Sequence, residues 1–442
     1  MRAHGTRRQS SVPASRLGRL FGLGLAAGEL VLGGMAEGVR RLAEGERLGA
    51  GEMLLTGPNV RRLAQRLARL RGAAMKLGQL LSLEGEDLLP REAAAALAVL
   101  RAGAEPMPLA QLHRTLGREY GKGWRARFER FDDEPVAAAS IGEVHRARTR
   151  ERREVALKIQ YPGVARSIDA DVDNVAALLR LLDVLPRGAN VDALAAEAKR
   201  QLRQEADYFA EARFLAGYRK LVADEPQLLV PRVHRELTTA RILAMDYVDG
   251  VPLETLADAP QAVRDDVGRL LQRLVFRELF EFGVMQTDPN VANYLWDAGA
   301  GRVGLLDFGA TVAFAPAFVE RYRLVTRAIV RGDRSAVRRL AAEIGYVAAD
   351  DTAAQADAAV EVIMLVCEPL RHRGRYDFAA SALPARVSEL GFELAFRWGL
   401  RRTPPPETMF LHRKLVGAFL LLARIGARVD VRSLVAPFLR ED

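Results

Sequence analysis

Gln286-Thr287-Asp288-Pro289-Asn290-Val291-Ala292-Asn293, followed by Leu305-Leu306-Asp307-Phe308-Gly309, is the part of this 442-residue chain that decides its fold. Phosphoryl transfer needs an Asp near the accepting hydroxyl, an Asn five residues later on a metal ion, and a second metal-binding Asp heading Asp-Phe-Gly. Asp288, Asn293 and Asp307 have that order and spacing. Asp-Phe-Gly alone arises by chance, and Asp-Pro-Asn alone is an ordinary turn. Their joint occurrence after a hydrophobic helix predicted over Val267 to Phe282 makes Asp288 the candidate catalytic group and Asn293 and Asp307 the candidate Mg²⁺ ligands.

Upstream, Glu154-Val155-Ala156-Leu157-Lys158 matches the kinase strand whose Lys neutralises the α- and β-phosphates of ATP. An acidic residue on a following helix must hold that Lys, and Glu205, Asp207 and Glu211 are available. The loop before the strand should cover the phosphates and is usually rich in Gly. Here it reads Ala137-Ala138-Ala139-Ser140-Ile141-Gly142, so each added Cβ restricts the backbone and changes the nucleotide pose. Met245, Asp246, Tyr247 and Val248 are the expected hinge for adenine.

The coarse pattern fits these assignments. Residues 58 to 120 read as helices, with Leu63, Leu67, Leu70, Leu77, Leu80 and Leu81 at helical spacings. Strands are predicted around Gly142 to Ala147, Glu154 to Gln160 and Arg241 to Tyr247, with helices over Val172 to Leu185 and Val191 to Tyr218. The chain after Gly250 is mainly helical apart from a turn-rich stretch over Thr287 to Gly309.

Ala137 to Val144 resembles the Ala-rich loop of the UbiB/AarF family of atypical kinases, and Lys158-Ile159-Gln160-Tyr161-Pro162-Gly163-Val164 resembles its Lys strand and turn. Arg71-Gly72-Ala73-Ala74-Met75-Lys76-Leu77-Gly78-Gln79 looks like the family's KxGQ helix, and Glu205-Ala206-Asp207 like its ExD motif. The likeness covers roughly residues 16 to 435 and is nearest the coenzyme Q branch.

The resemblance implies an α+β, two-lobed protein-kinase-like fold with a family-specific N-terminal helical extension. Its divisions would be residues 1–45, a basic and apolar segment; 46–125, the helical extension; 126–247, the N-lobe; and 248–442, the C-lobe. It implies ATP or ADP with Mg²⁺, contacted by Ala137 to Gly142, Val144, Ala156, Lys158 and Met245 to Val248. It gives Glu211 the role of pairing Lys158. Lys76, Gly78 and Gln79, with Lys76 facing Glu205 or Asp207, would gate the acceptor side and disfavour peptide substrates.

The implied activity is that of a Mg-ATPase supporting ubiquinone biosynthesis, near lipid or polyprenyl quinone precursors or the enzymes that process them. The rivals are a small-molecule or lipid kinase and a nucleotide-gated scaffold. The implied location is the bacterial cytoplasm, including the inner-membrane surface, with the mitochondrial matrix side as the alternative. Two residues depart from the family pattern. Glu143 replaces the usual Gln and is expected to bring negative charge near the phosphates, and Arg213 replaces Asn.

Composition is that of a folded protein, with 49% hydrophobic and 27% charged residues. The net charge of +9 is dispersed without a basic block interleaved with aromatics, so nucleic acid is not an expected partner. Only six of the 65 basic residues are Lys, at 76, 122, 158, 199, 220 and 414. In a chain that uses Arg by default, a Lys marks a place where a compact charge is needed. The single Cys367 excludes an internal disulfide.

Leu20 to Met35 is too short to span a bilayer, leaving a basic tail before a buried helix, a membrane-surface helix or a transit peptide as readings. Leu415 to Ala423 is read as a core helix.

Overall fold

The computed structural model describes residues 106–182, 191–288, 290–387, 389–390 and 406–440. The expectations for residues 1–105, including the membrane-surface segment and Lys76, Gly78 and Gln79, lie outside the described residues. Within them the strands used below are β1 (Phe128–Phe131), β2 (Ala137–Ala139), β3 (Gly142–Thr149), β4 (Glu154–Gln160), β5 (Leu228–Leu229), β6 (Ile242–Asp246), β7 (Val251–Pro252), β8 (Val284–Gln286), β9 (Tyr294–Asp297), β10 (Arg302–Leu305) and β11 (Thr311–Ala313). The helices used below are α1 (Leu109–Tyr120), α2 (Val164–Leu182), α3 (Val191–Glu205), α4 (Tyr208–Leu221), α5 (Gln261–Arg277), α6 (Pro316–Arg331), α7 (Arg334–Ile344), α8 (Ala353–Val366) and α9 (Pro406–Arg424). The described residues gather into two units, 106–213 with 232–247, and 214–231 with 248–440.

The first unit is built on an antiparallel sheet of order β1-β3-β4-β6, with β2 folded back on β3. Side chains alternate between the faces of a strand, so Val155, Leu157 and Ile159 on β4 share one face. They pack with Leu112, Leu116 and Tyr120, which recur every fourth residue along α1. Deleting either buried Leu side chain to Ala would cost about 2–5 kcal/mol. Gly142 admits no side chain, because a Cβ there would lie 2.3 Å from the Ile159 carbonyl oxygen.

Two helix boundaries differ from those predicted. α2 begins at Val164, immediately after Gly163 turns the chain at φ 78°. The continuous helix predicted over Val191 to Tyr218 is interrupted after Glu205, where the exposed Asp207 carboxylate accepts from the Ala210 N–H at 2.9 Å and starts α4. A short acidic side chain favours such a cap over a helix interior, which the apolar periodicity cannot reveal.

The second unit places three small sheets among helices. One has order β5-β10-β9-β7, a second pairs β8 with β11, and a third pairs Tyr376–Asp377 with Arg428–Val429. α5 runs into a π turn over Glu278–Phe282 that ends at Gly283, φ 61°. Leu415 to Ala423 lies in α9, with Leu421 and Leu422 buried but Val416 and Leu420 48% and 52% exposed. It is therefore a core helix on one side only. Among the described residues no helix is long and apolar enough to cross a membrane.

Candidate active site

In the first unit, Lys158 projects from the sheet face opposite α1. Its Nζ lies 2.8 and 3.0 Å from the two carboxylate oxygens of Glu211, with both side chains buried. The first turn of α4 thus supplies the acidic partner, and neither Glu205 nor Asp207 does. The strand register sorts the other expected nucleotide contacts. Ala137 and Ala139 lie on the Lys158 face because Ala137 pairs with Val144, which pairs with Lys158. Ala156 and Met245 pair with each other on that same face.

Ala138 and Asp246 register with the opposite face, through Glu143 and Val155. Asp246 bonds through Oδ1 to Nε2 of buried His234 at 2.8 Å, and its Oδ2 accepts from the Arg232 N–H at 3.1 Å. Burial acts to raise the Asp246 carboxyl, but these hydrogen bonds prevail and hold it below the usual carboxylate range. The N–H groups of Asp246 and Tyr247 donate to Arg232 O and Glu154 O, so this part of the hinge is engaged within its own unit. Ile141 is fully buried and its carbonyl accepts from the Tyr161 N–H at 2.9 Å.

Glu143 does not carry charge to the phosphate-facing surface. It registers with Ile159 on the α1 side of the sheet, accepts from the Met107 N–H at 2.7 Å and bonds Nε2 of buried His145 at 3.0 Å. The expectation of repulsion from Glu143 fails because one step along a strand reverses the face. Ser140 donates to Glu205, tying the tip of the Ala-rich hairpin to the end of α3. Arg213 is exposed.

In the second unit, two strand pairings gather the other candidates. β8 against β11 places Gln286 opposite Thr311, and β9 against β10 places Tyr294 opposite Leu305. The Leu306 N–H donates to the Asn293 carbonyl at 3.0 Å, bringing Asp307 to the Asn293 turn. The Asp288 carboxylate accepts from Asn293 Nδ2 at 3.1 Å on Oδ2 and from Arg413 Nη2 at 2.7 Å on Oδ1. Phe308 is buried against Tyr218 of α4, with ring centroids 4.7 Å apart.

Beside this group lies a buried polar network. Lys414 Nζ is 3.0 Å from Glu278 Oε2, while Glu278 Oε1 accepts from the Tyr218 hydroxyl at 2.8 Å and the Gln286 N–H at 2.9 Å. Burial acts to lower the Lys414 ammonium, but Glu278 and Tyr294 together outweigh it and hold Lys414 above its usual range. Burial, reinforced by the Glu278 charge, raises the Tyr218 hydroxyl.

The donor set near Asp307 suits a small hard cation. Asn293 donates its amide nitrogen to Asp288, which leaves the amide oxygen as the acceptor in that side chain. Asp307 accepts from the Gly309 N–H through Oδ1 at 2.9 Å. Among the described residues no group of three or more His, Cys, Asp or Glu is poised on a metal. One carboxylate and one amide oxygen form the short protein ligand set that Mg²⁺ takes when phosphates and water complete its shell.

Comparison with known proteins matches residues 99–341 to the ABC1 atypical kinase-like domain. The chain is 40% identical over 429 residues to the mitochondrial atypical kinase COQ8B of Rattus norvegicus, covering 97% of this chain and 81% of that protein. The chain belongs to the ABC1 atypical kinase family. Mitochondrial COQ8 of Saccharomyces cerevisiae, another atypical kinase, is 37% identical over 97% of this chain and 86% of its own length. Among solved structures, the Rv3197–erythromycin complex from Mycobacterium tuberculosis aligns with a TM-score of 0.59 and 26% identity, covering 86% of this chain and 96% of that one.

The fold is therefore kinase-like, and nucleotide binding follows from it. The expected bacterial cytoplasmic location is corrected by the same comparison, since both of these ABC1 relatives are mitochondrial proteins. Sequence reasoning missed Arg413, Glu278, Tyr218 and His234. Arg413 meets Asp288 and Tyr218 meets Glu278 only through tertiary packing, and no motif links His234 to Asp246 or Glu278 to Gln286. Lys414 alone carried a signal, as one of six Lys in an Arg-dominated chain.

Proposed function

We propose that this ABC1-family chain is a Mg-ATPase of the atypical kinase type that supports ubiquinone biosynthesis, acting near membrane lipid precursors or the enzymes that process them. The observation that carries the reading is the grouping of Asp288, Asn293 and Asp307 by two strand pairings in one unit. The buried Lys158–Glu211 pair in the other unit supports it.

Lys158, oriented by both oxygens of Glu211, neutralises the α- and β-phosphates. Asn293 and Asp307 would hold Mg²⁺, which when bound neutralises charge on the phosphate oxygens. Asp288, fixed by Asn293 and Arg413, orients the attacking water or acceptor hydroxyl. The attacking oxygen forms its bond to the γ-phosphorus as the bond to the β–γ bridging oxygen breaks, and ADP leaves. Such catalysis rests on positioning and charge neutralisation. Ala137 and Ala139 line the Lys158 face, whereas Ser140 and Glu205 fasten the hairpin tip from within the unit.

The test is the melting temperature with and without Mg-ATP, beside Asp307→Asn, because a ligand of the native state must raise it. A Mg-dependent rise that the variant loses is the expected result. No rise at millimolar nucleotide would refute ATP binding, and ubiquinone production fully rescued by Asp288→Asn would refute the need for turnover. The retained Asp288 favours one second reading, a kinase acting on a small lipid-derived acceptor, which detection of a phosphorylated quinone precursor would establish.

A further inference from the structure

We infer that Lys414 is a positioning residue for Asp288, so that α9 holds the catalytic Asp by its side chain through one residue and by its main chain through the next. This inference rests on the reading of Asp288 given above.

Arg413 reaches the Asp288 carboxylate directly at 2.7 Å. Its neighbour Lys414 points to a different target, the carboxylate of Glu278 at 3.0 Å, and reaches the Gln286 side-chain oxygen at 3.5 Å. The same Gln286 donates through Nε2 to the Asp288 carbonyl at 2.9 Å, and through its N–H to Glu278 Oε1 at 2.9 Å. Lys414 is thus joined to the main chain of Asp288 by two routes, one along the Gln286 side chain and one through Glu278 and the β8 backbone. The π turn matters here because Glu278 is its first residue and is wholly buried. A carboxylate sealed in that position needs a cation, and Lys414 answers it.

The residue type fits this task. A buried guanidinium would need partners for five N–H donors in a planar fork, whereas an ammonium directs three donors from a single atom. Those donors have Glu278, Gln286 and Tyr294 around them. Asp288 must stay aligned on the attacking oxygen, and a misplacement of about 1 Å is enough to cost roughly 100-fold in rate. Loosening the Lys414 network should therefore lower kcat while leaving the nucleotide-binding residues in place.

Lys414→Met alone would strand the Glu278 charge, so the test uses two milder changes. Gln286→Met cuts the side-chain route and keeps the Lys414–Glu278 pair. Lys414→Met combined with Glu278→Gln removes both charges, and residue 278 still offers an acceptor to Tyr218 and the residue 286 N–H. ATP hydrolysis and the equilibrium affinity for Mg-ATP are measured for both, beside Asp288→Asn. The expected result is a kcat at least tenfold lower in both, with affinity within twofold, a split that general loss of folded protein would not produce. A kcat within twofold of the unaltered protein in both, while Asp288→Asn is inactive, would overturn the role of Lys414 and leave the site reading intact. Full turnover by Asp288→Asn would overturn both.

Discussion

Two buried Lys–Glu pairs do different work in the two units. Lys158 meets both oxygens of Glu211 and stands on a sheet face shared with the small residues Ala137, Ala139 and Ala156. Lys414 meets one oxygen of Glu278, whose other oxygen is occupied by Tyr218 and the β8 backbone. On the reading proposed above, the first pair is the one that meets the nucleotide phosphates. The second belongs to an internal network with Tyr218, Gln286 and Tyr294. Ion-pair chemistry alone does not assign function, and the neighbours of the second carboxylate oxygen decide it.

The largest expected effect comes from breaking the sealed pair. Lys414→Met should lower unfolding stability in urea by about 3–5 kcal/mol, the cost of an uncompensated buried charge, and adding Glu278→Gln should restore more than half of it. If the single change costs under about 1 kcal/mol, Glu278 reaches water and the contrast between the pairs is lost. Next comes Lys158→Met, which removes a charge-assisted contact and should weaken Mg-ATP binding roughly 10- to 100-fold. The double change at Lys414 and Glu278 should keep the affinity. Equal losses in the two proteins would show that both pairs serve nucleotide binding.

A third prediction concerns the residue two places before Lys414 in α9. Burial pushes His412 down to about 4, and its Nε2 lies 2.6 Å from the Tyr346 hydroxyl. Between the folded value and an unfolded value near 6.5, the unfolded chain binds a proton that the native state refuses. Stability should be fully present above pH ~6.5 and fall by up to roughly 1.4 kcal/mol per pH unit toward pH 4. Urea unfolding of His412→Gln should show a flatter profile over that window, and an unchanged slope would assign the acid sensitivity elsewhere. The smallest effect belongs to Glu143→Gln, which keeps an acceptor for the Met107 N–H on the far side of the sheet from Lys158. Mg-ATP affinity within twofold is expected, and a clear gain would restore the idea that this charge opposes phosphate.

The expected Lys strand was legible because strand period and motif agree over Glu154–Gln160, and register then carried Ala156 and Met245 to the same face. The Asp288, Asn293 and Asp307 group was legible by spacing, since the short links from β8 to β9 and from β10 to β11 are closed by the pairings of β8 with β11 and β9 with β10. The break between α3 and α4 was not, because Asp207 acts there through a local cap rather than through periodicity. Glu143 was misplaced for a related reason. A motif gives position along the chain but does not say which face of the sheet the side chain takes.

Arg413 lies far beyond Asp288 in sequence, and nothing in His412-Arg413 announces its contact with that carboxylate. The chain by itself determined which groups are on offer, namely a Lys expected at ATP, a candidate catalytic Asp and two candidate oxygen ligands, because these depend on residue type and short spacing. Only the tertiary structure decided which carboxylate receives which cation and which charges are sealed from water. Those choices depend on the packing of distant helices and on sheet parity, and in a buried site an ionic group must take whichever partner the fold brings within reach.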